Sequence, residues 1–121
     1  AMVRLEPVAV GEETAVAIEV KLPKTTLLAV TARSGYIMCG ALDVQLLNTR
    51  LRERGVIAGR AVGVRTIAEL LDAPLESVTE RAEELGIHAG MSGRDAVRRM
   101  LEYDKTEDHR PPDRPSSQFS L

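Results

Sequence analysis

The chain has 121 residues, 44% hydrophobic and 28% charged, with a formal net charge of -2, which fits a single globular domain. A slightly acidic balance argues against a protein built to hold nucleic acid. Its aromatics, Tyr36, Tyr103 and Phe119, leave almost nothing for bases to stack on, and no apolar run approaches the roughly 20 residues that span a bilayer.

The first forty residues read as strands. Residues 3–10 form a candidate strand, ended by Gly11-Glu12-Glu13. Residues 14–22 alternate well, with Val16, Ile18, Val20 and Leu22 on one face and Ala15, Ala17, Glu19 and Lys21 on the other. Pro23-Lys24-Thr25 breaks that strand. Residues 27–33 place Leu28, Val30 and Ala32 on one face, and Ser34-Gly35 joins them to residues 36–39 as a hairpin.

The period then changes. Val44, Leu47 and Leu51 fall at helical spacing over residues 43–54, and Gly55 stands where a helix-terminating glycine belongs. Residues 56–65 return to strand character, rich in small side chains. Thr66-Ile67-Ala68-Glu69 is a capping box opening a short helix to residue 71. Pro74 suits the first turn of a helix running to Leu85 and stopping at Gly86. Ser92-Gly93-Arg94-Asp95 opens a last helix through Met100 and Leu101. Residues 104–121 hold half the prolines, with charges and serines, and read as a disordered tail.

The expected architecture is α+β: one domain over residues 2–103, with an N-terminal, mainly antiparallel sheet and three to four helices packed on one face. The second faces of the strands, carrying Ala15, Ala17, Leu27 and Ala29, are not strongly polar. A sheet wet on one side alternates more cleanly, so a second subunit is expected over the uncovered face.

Cys39 is the chain's single cysteine, so no intramolecular disulfide is possible. No leader with a basic region and an apolar stretch is visible, and the expected compartment is a reducing cytoplasm. Cys39 lies where a strand ends and a helix is about to begin, in Met38-Cys39-Gly40-Ala41-Leu42-Asp43. Helix N-termini favour thiolate, which makes it a candidate nucleophile. Free cysteines are also among the most buried residues, so a packing role is the competing reading. The base would be His88, between Gly86 and Gly90, since His109 falls in the tail. Gly40, Ala41 and Asp43 beside it, with Arg60 and Arg65 at a glycine-rich strand, are candidate contacts for a small anionic ligand. The competing role for the arginines is a salt bridge to Asp43 or to a helix glutamate. Gly90-Met91-Ser92-Gly93 reads as an ordinary tight turn and matches no phosphate-binding motif. One cysteine and two histidines make no zinc set, and no metal or cofactor is expected.

Lys21-Leu22-Pro23-Lys24-Thr25, Gly35 through Asp43, Ala58 through Thr66, and Gly90 through Gly93 together resemble the YunC-like family, a bacterial and archaeal family of unknown function. The resemblance covers about residues 3–101. It implies a small α+β domain whose N-terminal β region mediates tetramerisation, and it implies no activity, cofactor or catalytic residue. Two functions compete at this point. One is an oligomeric module binding a partner or a small anionic ligand near the Cys39 turn. The other is a thiol-dependent enzyme or sulfur-transfer protein using Cys39.

Overall fold

Six strands run through the described residues, 2–50 and 52–107 of this computed structural model, side by side in the order in which they occur in the chain. They are β1 (Met2–Val10), β2 (Glu13–Leu22), β3 (Thr25–Thr31), β4 (Gly35–Met38), β5 (Ile57–Arg60) and β6 (Ser77–Val78). Four α-helices accompany them: α1 (Val44–Thr49), α2 (Ile67–Asp72), α3 (Glu80–Glu84) and α4 (Gly93–Glu107). The fold is α+β, as expected. Strands β1 to β4 form an antiparallel meander, β4 and β5 pair in parallel through α1, and β6 returns antiparallel. The parallel step needs a crossover, which a two-residue hairpin cannot supply.

One face of the sheet carries the core. Val10, Ala15, Ala17, Leu28, Val30, Ile37 and Ile57 pack with Leu70, Leu71, Ile87, Ala96, Val97 and Met100. Helix α4 turns Ala96, Val97, Met100 and Leu101 inward and leaves Arg94, Asp95, Arg98 and Arg99 in solvent, the one-sided pattern of an amphipathic helix. Each large side chain buried here stabilises the fold by about 1.5–3 kcal/mol.

The sheet reverses one expectation on β2. Its alanine face, Ala15 and Ala17, lies in the core at 1% exposure, while Val16 on the other face is 42% exposed. The register explains the choice. Ala17 stands opposite Val30, and Ile18 opposite Ala29, so the alanines share the face that Leu28 and Val30 present to the helices. Alanines let α4 approach β2 closely. The outer face of β1–β3 therefore carries Val3, Leu5 and Pro7, then Val16, Ile18, Val20 and Leu22, then Leu27 and Ala29. None of these is charged. Of the charged side chains in these strands, Arg4, Glu6, Glu19 and Lys21 lie on the inner face at the end the helices do not cover, where Arg4 pairs with Glu19 at 3.7 Å, while Glu13 at the other end pairs with Lys105 of α4 at 2.8 Å.

Three other expectations change. The strand expected over 56–65 stops at Arg60, and Gly63, at φ 75°, turns the chain out of the sheet. The helix expected from Pro74 to Leu85 is instead a short edge strand followed by α3, because Thr79 intervenes. Its buried hydroxyl accepts from Ala82 N at 3.3 Å to cap α3, accepts from Ala58 N at 3.1 Å and donates to Val56 O at 2.7 Å. Helix α4 continues past residue 103: Asp104 is buried and its carboxylate accepts from Arg33 N at 2.9 Å, while Ser34 donates to Met100 O. These bonds fasten the end of α4 to the β3–β4 turn, so the expected start of the tail lies inside the helix. The rest of the expected tail, residues 108–121, is outside the described residues.

Candidate functional site

Cys39 follows β4 directly, and the strand's alternation aims it inward after Ile37. Its N–H donates to Leu28 O at 3.0 Å and its Sγ accepts from Leu28 N at 3.5 Å. The side chain is buried within the core cluster. The strand-to-helix junction is present as expected, but the thiol points away from it. His88 sits exposed, with Nδ1 3.0 Å from the Ala89 carbonyl, and does not meet the thiol. The buried sulfur fits the packing reading. Native Cys39 is expected to resist disulfide-exchange reagents and to react fully once guanidinium unfolds the chain. Stoichiometric reaction of the folded protein within minutes, followed by absorbance, contradicts this.

The chemistry gathers on the other side of that junction. Gly40, Ala41, Leu42 and Asp43 line an open cleft of about 620 Å³ with Gln45 and Asn48 of α1, Arg60 of β5, and Glu76 and Ser77 at β6. That volume suits a small molecule. Asp43 caps α1, its Oδ1 accepting from Leu46 N at 2.9 Å. Asn48 Oδ1 accepts from Glu80 N at 2.8 Å, tying α1 to α3. Arg60 donates from Nε and Nη2 to the Gly40 carbonyl at 3.3 and 3.2 Å, and from Nη1 to Glu76 Oε1 at 2.9 Å. The Ser77 hydroxyl, 2.7 Å from Glu76 Oε1, and the Arg60 guanidinium hold the Glu76 carboxyl below the usual carboxylate range, so it is ionised at neutral pH.

Four of the expected ligand contacts, Gly40, Ala41, Asp43 and Arg60, thus line one cleft. Arg65 does not. Its backbone N–H donates to Glu69 Oε1 at 2.7 Å, completing the N-terminus of α2, and its side chain is exposed elsewhere. The salt-bridge partner of Arg60 is Glu76, outside any helix, rather than Asp43 or a helix glutamate. Glu76, Ser77, Gln45 and Asn48 carried no signal in the sequence. The spacing Glu76, Glu80, Glu84 reads as a solvated helix face, and only tertiary pairing brings Glu76 to Arg60.

The Gly90–Gly93 turn serves the fold. Gly90 N donates to Leu75 O, Gly93 N to Ala73 O, and the Ser92 hydroxyl accepts from Asp95 N at 3.1 Å. No helix among the described residues is long and apolar enough to cross a membrane.

Comparison with known proteins adds context. The profile of a domain of unknown function, DUF1805, matches residues 38–100, which includes the turn, β5 and most of α4. An uncharacterised protein of Bacillus subtilis strain 168, YunC, is 62% identical over 100 residues, 83% of this chain and 99% of that protein. The crystal structure of a protein of unknown function from Thermoplasma acidophilum, TA1206, superposes with a TM-score of 0.71 at 27% identity, covering 80% of this chain and 91% of that one. No activity is established for these relatives or for the domain family.

Proposed function

We propose, for a chain that belongs to the family of the domain of unknown function DUF1805, a role as a self-associating cytoplasmic module that holds a small anionic ligand in the cleft beside the Cys39 turn. The observation that carries this reading is the outer face of β1–β3. Val3 and Leu5 are 63% and 64% exposed, and Val16 and Leu22 lie on the same face. An apolar sheet face of this kind marks an interface.

A second copy is the occupant that fits. The face carries no charge with which to select a different partner, and a two-fold contact between identical apolar patches is self-complementary. Edge-to-edge pairing is disfavoured. Strand β1 lies at the sheet's edge, and Pro7 within it offers no N–H for a further strand. Association is therefore face to face, with a dimer as the first step; the tetramer is what the resemblance to the YunC-like family implies. The uncharged face and the small aromatic content also leave nucleic acid out of this reading. The cytoplasmic placement rests on the lone buried cysteine, which calls for no oxidising compartment.

Size-exclusion chromatography with light scattering tests the reading. A mass of two or four times 13.2 kDa is expected at micromolar concentration. A monomer there removes the reading. The buried thiol gives the thiol-enzyme alternative no support.

A further inference from the structure

This inference rests on the cleft reading above and concerns how its ligand enters. Arg60 and Glu76 are held unequally. Arg60 extends from β5 between the buried Gly59 and Ala61, and its guanidinium is pinned to the Gly40 carbonyl by two bonds. Glu76 is fixed only at its backbone, where its N–H donates to Arg60 O at 2.7 Å. Its side chain is 47% exposed, and its other bond comes from its chain neighbour Ser77. Rotation about the Glu76 side chain frees Arg60 without moving a strand. A guanidinium has five N–H donors; two are held by the Gly40 carbonyl and one, on Nη1, by Glu76. When Glu76 swings away, Nη1 and Nη2 together offer the paired donors that an oxyanion accepts.

We propose that Glu76 is an internal competitor, and that a small oxyanion, carboxylate or phosphate, binds by taking the place of its carboxylate on Arg60. Carboxylates and phosphates match the guanidinium fork through paired hydrogen bonds. An exposed ion pair is weak, so displacing it lowers a ligand's affinity by only about 2- to 5-fold. Gly40 and Ala41 leave the approach open, since a Cβ on Gly40 would meet nothing nearer than 3.7 Å. Asp43, on the rim of the same cleft, carries a second negative charge. It selects ligands with a single anionic group over polyanions.

The test is an NMR titration of the full chain with inorganic phosphate and, separately, with acetate, a carboxylate carrying one anionic group, following the Gly40 and Ala41 amides and the Arg60 Nε–H. Wild type, Glu76→Gln and Arg60→Gln are compared, with unchanged core amides as the sign that each variant is folded. The expected result is saturable movement in wild type, an apparent affinity about 2- to 5-fold tighter in Glu76→Gln, and none in Arg60→Gln. A response to one probe only identifies the acceptor chemistry and supports the proposal equally. Binding that needs Arg60 but is unchanged or weaker in Glu76→Gln overturns the competition and leaves the cleft reading standing. No movement in wild type or Glu76→Gln with either probe at about 50 mM, well above a millimolar Kd, overturns both. Movement that survives in Arg60→Gln is adventitious and overturns the proposal as well.

Discussion

Gly93→Ala is expected to destabilise the protein by about 3 kcal/mol or more, despite placing a better helix former in α4. A Cβ at this position would stand 2.4 Å from the Leu70 carbonyl oxygen, 2.7 Å from Ile37 Cδ1 and 3.3 Å from Leu71 Cα. Two of those neighbours are backbone of α2, which cannot rotate away as a side-chain tip can. The chain at Gly93 cannot retreat either, because its N–H is bonded to Ala73 O at 3.0 Å. Replacing glycine by alanine inside a helix gains about 1 kcal/mol from propensity. Overpacking against fixed atoms costs about 1–3 kcal/mol and sometimes more, and here the contact is with main chain. Separating α2 from α4 would loosen Leu70, Val97 and Met100, all fully buried. For a domain of this size a loss of about 3 kcal/mol lowers Tm by at least about 10 °C, which calorimetry reads directly. Gly90→Ala is the control. Its φ is 93° but nothing lies within 4 Å of a Cβ there, so only the backbone cost of about 1–2 kcal/mol applies. A Gly93→Ala protein that melts with wild type would show that α2 and α4 are not in contact at this point.

Leu5→Glu is expected to weaken self-association at least about a hundredfold while leaving the fold intact. Leu5 stands opposite Ile18 on the outer face and is 64% exposed in the single chain, so its replacement costs the monomer little. In a two-fold contact the residue is buried twice. Each leucine loses about 1.5–3 kcal/mol of burial, and about 3 kcal/mol in total already exceeds a hundredfold change in Kd. The carboxylate must also leave water without a partner, since that face of β1–β3 offers no cation. Val16→Glu, on the neighbouring strand, acts on the same patch. Sedimentation velocity over a concentration series gives the dissociation constant, and circular dichroism gives the fold. Glu6→Leu, on the opposite face of β1, is expected to leave the association unchanged. If Leu5→Glu associates as wild type does while Glu6→Leu does not, the interface is on the wrong side of the sheet.

Much of this architecture is readable from local pattern. Period-two alternation marks β2 and β3, and the Gly11-Glu12-Glu13 break marks the end of β1. The hairpin signal at Ser34-Gly35 marks the β3–β4 turn. Thr66 and Ser92 cap the helices they precede. Gly55 has the positive φ of 61° expected of it, but the helix expected over 43–54 ends at Thr49, and a 3-10 turn at Arg52–Arg54 precedes the glycine instead. The departures all depend on distant residues. Alternation on β2 separates valines from alanines, but which set faces inward is decided by how near α4 must come. Thr79 hides its cap because its third following residue is Ala82, not the glutamate of a capping box, and because Glu76, Glu80 and Glu84 keep helical spacing across it. Half of the cleft is legible, since Gly40, Ala41 and Asp43 are neighbours in sequence. Arg60 is readable as an arginine within an apolar strand. Glu76 is not, because only the pairing of β5 with β6 carries it there.

Strands that lie in the sheet in their order of synthesis also become available in that order. Paired strands form on a microsecond scale, whereas α4 begins about 60 residues after β3 ends. At roughly 5–20 residues per second, the ribosome needs several seconds to deliver that helix. During this interval a nascent β1–β3 meander has no cover on its inner face, and its outer face stays uncovered even after α4 docks. Two ribosomes translating one message hold such meanders close together. On the proposed face-to-face association, the first surface the outer face would close upon is the same face of a sibling chain, and assembly would begin before either chain is released.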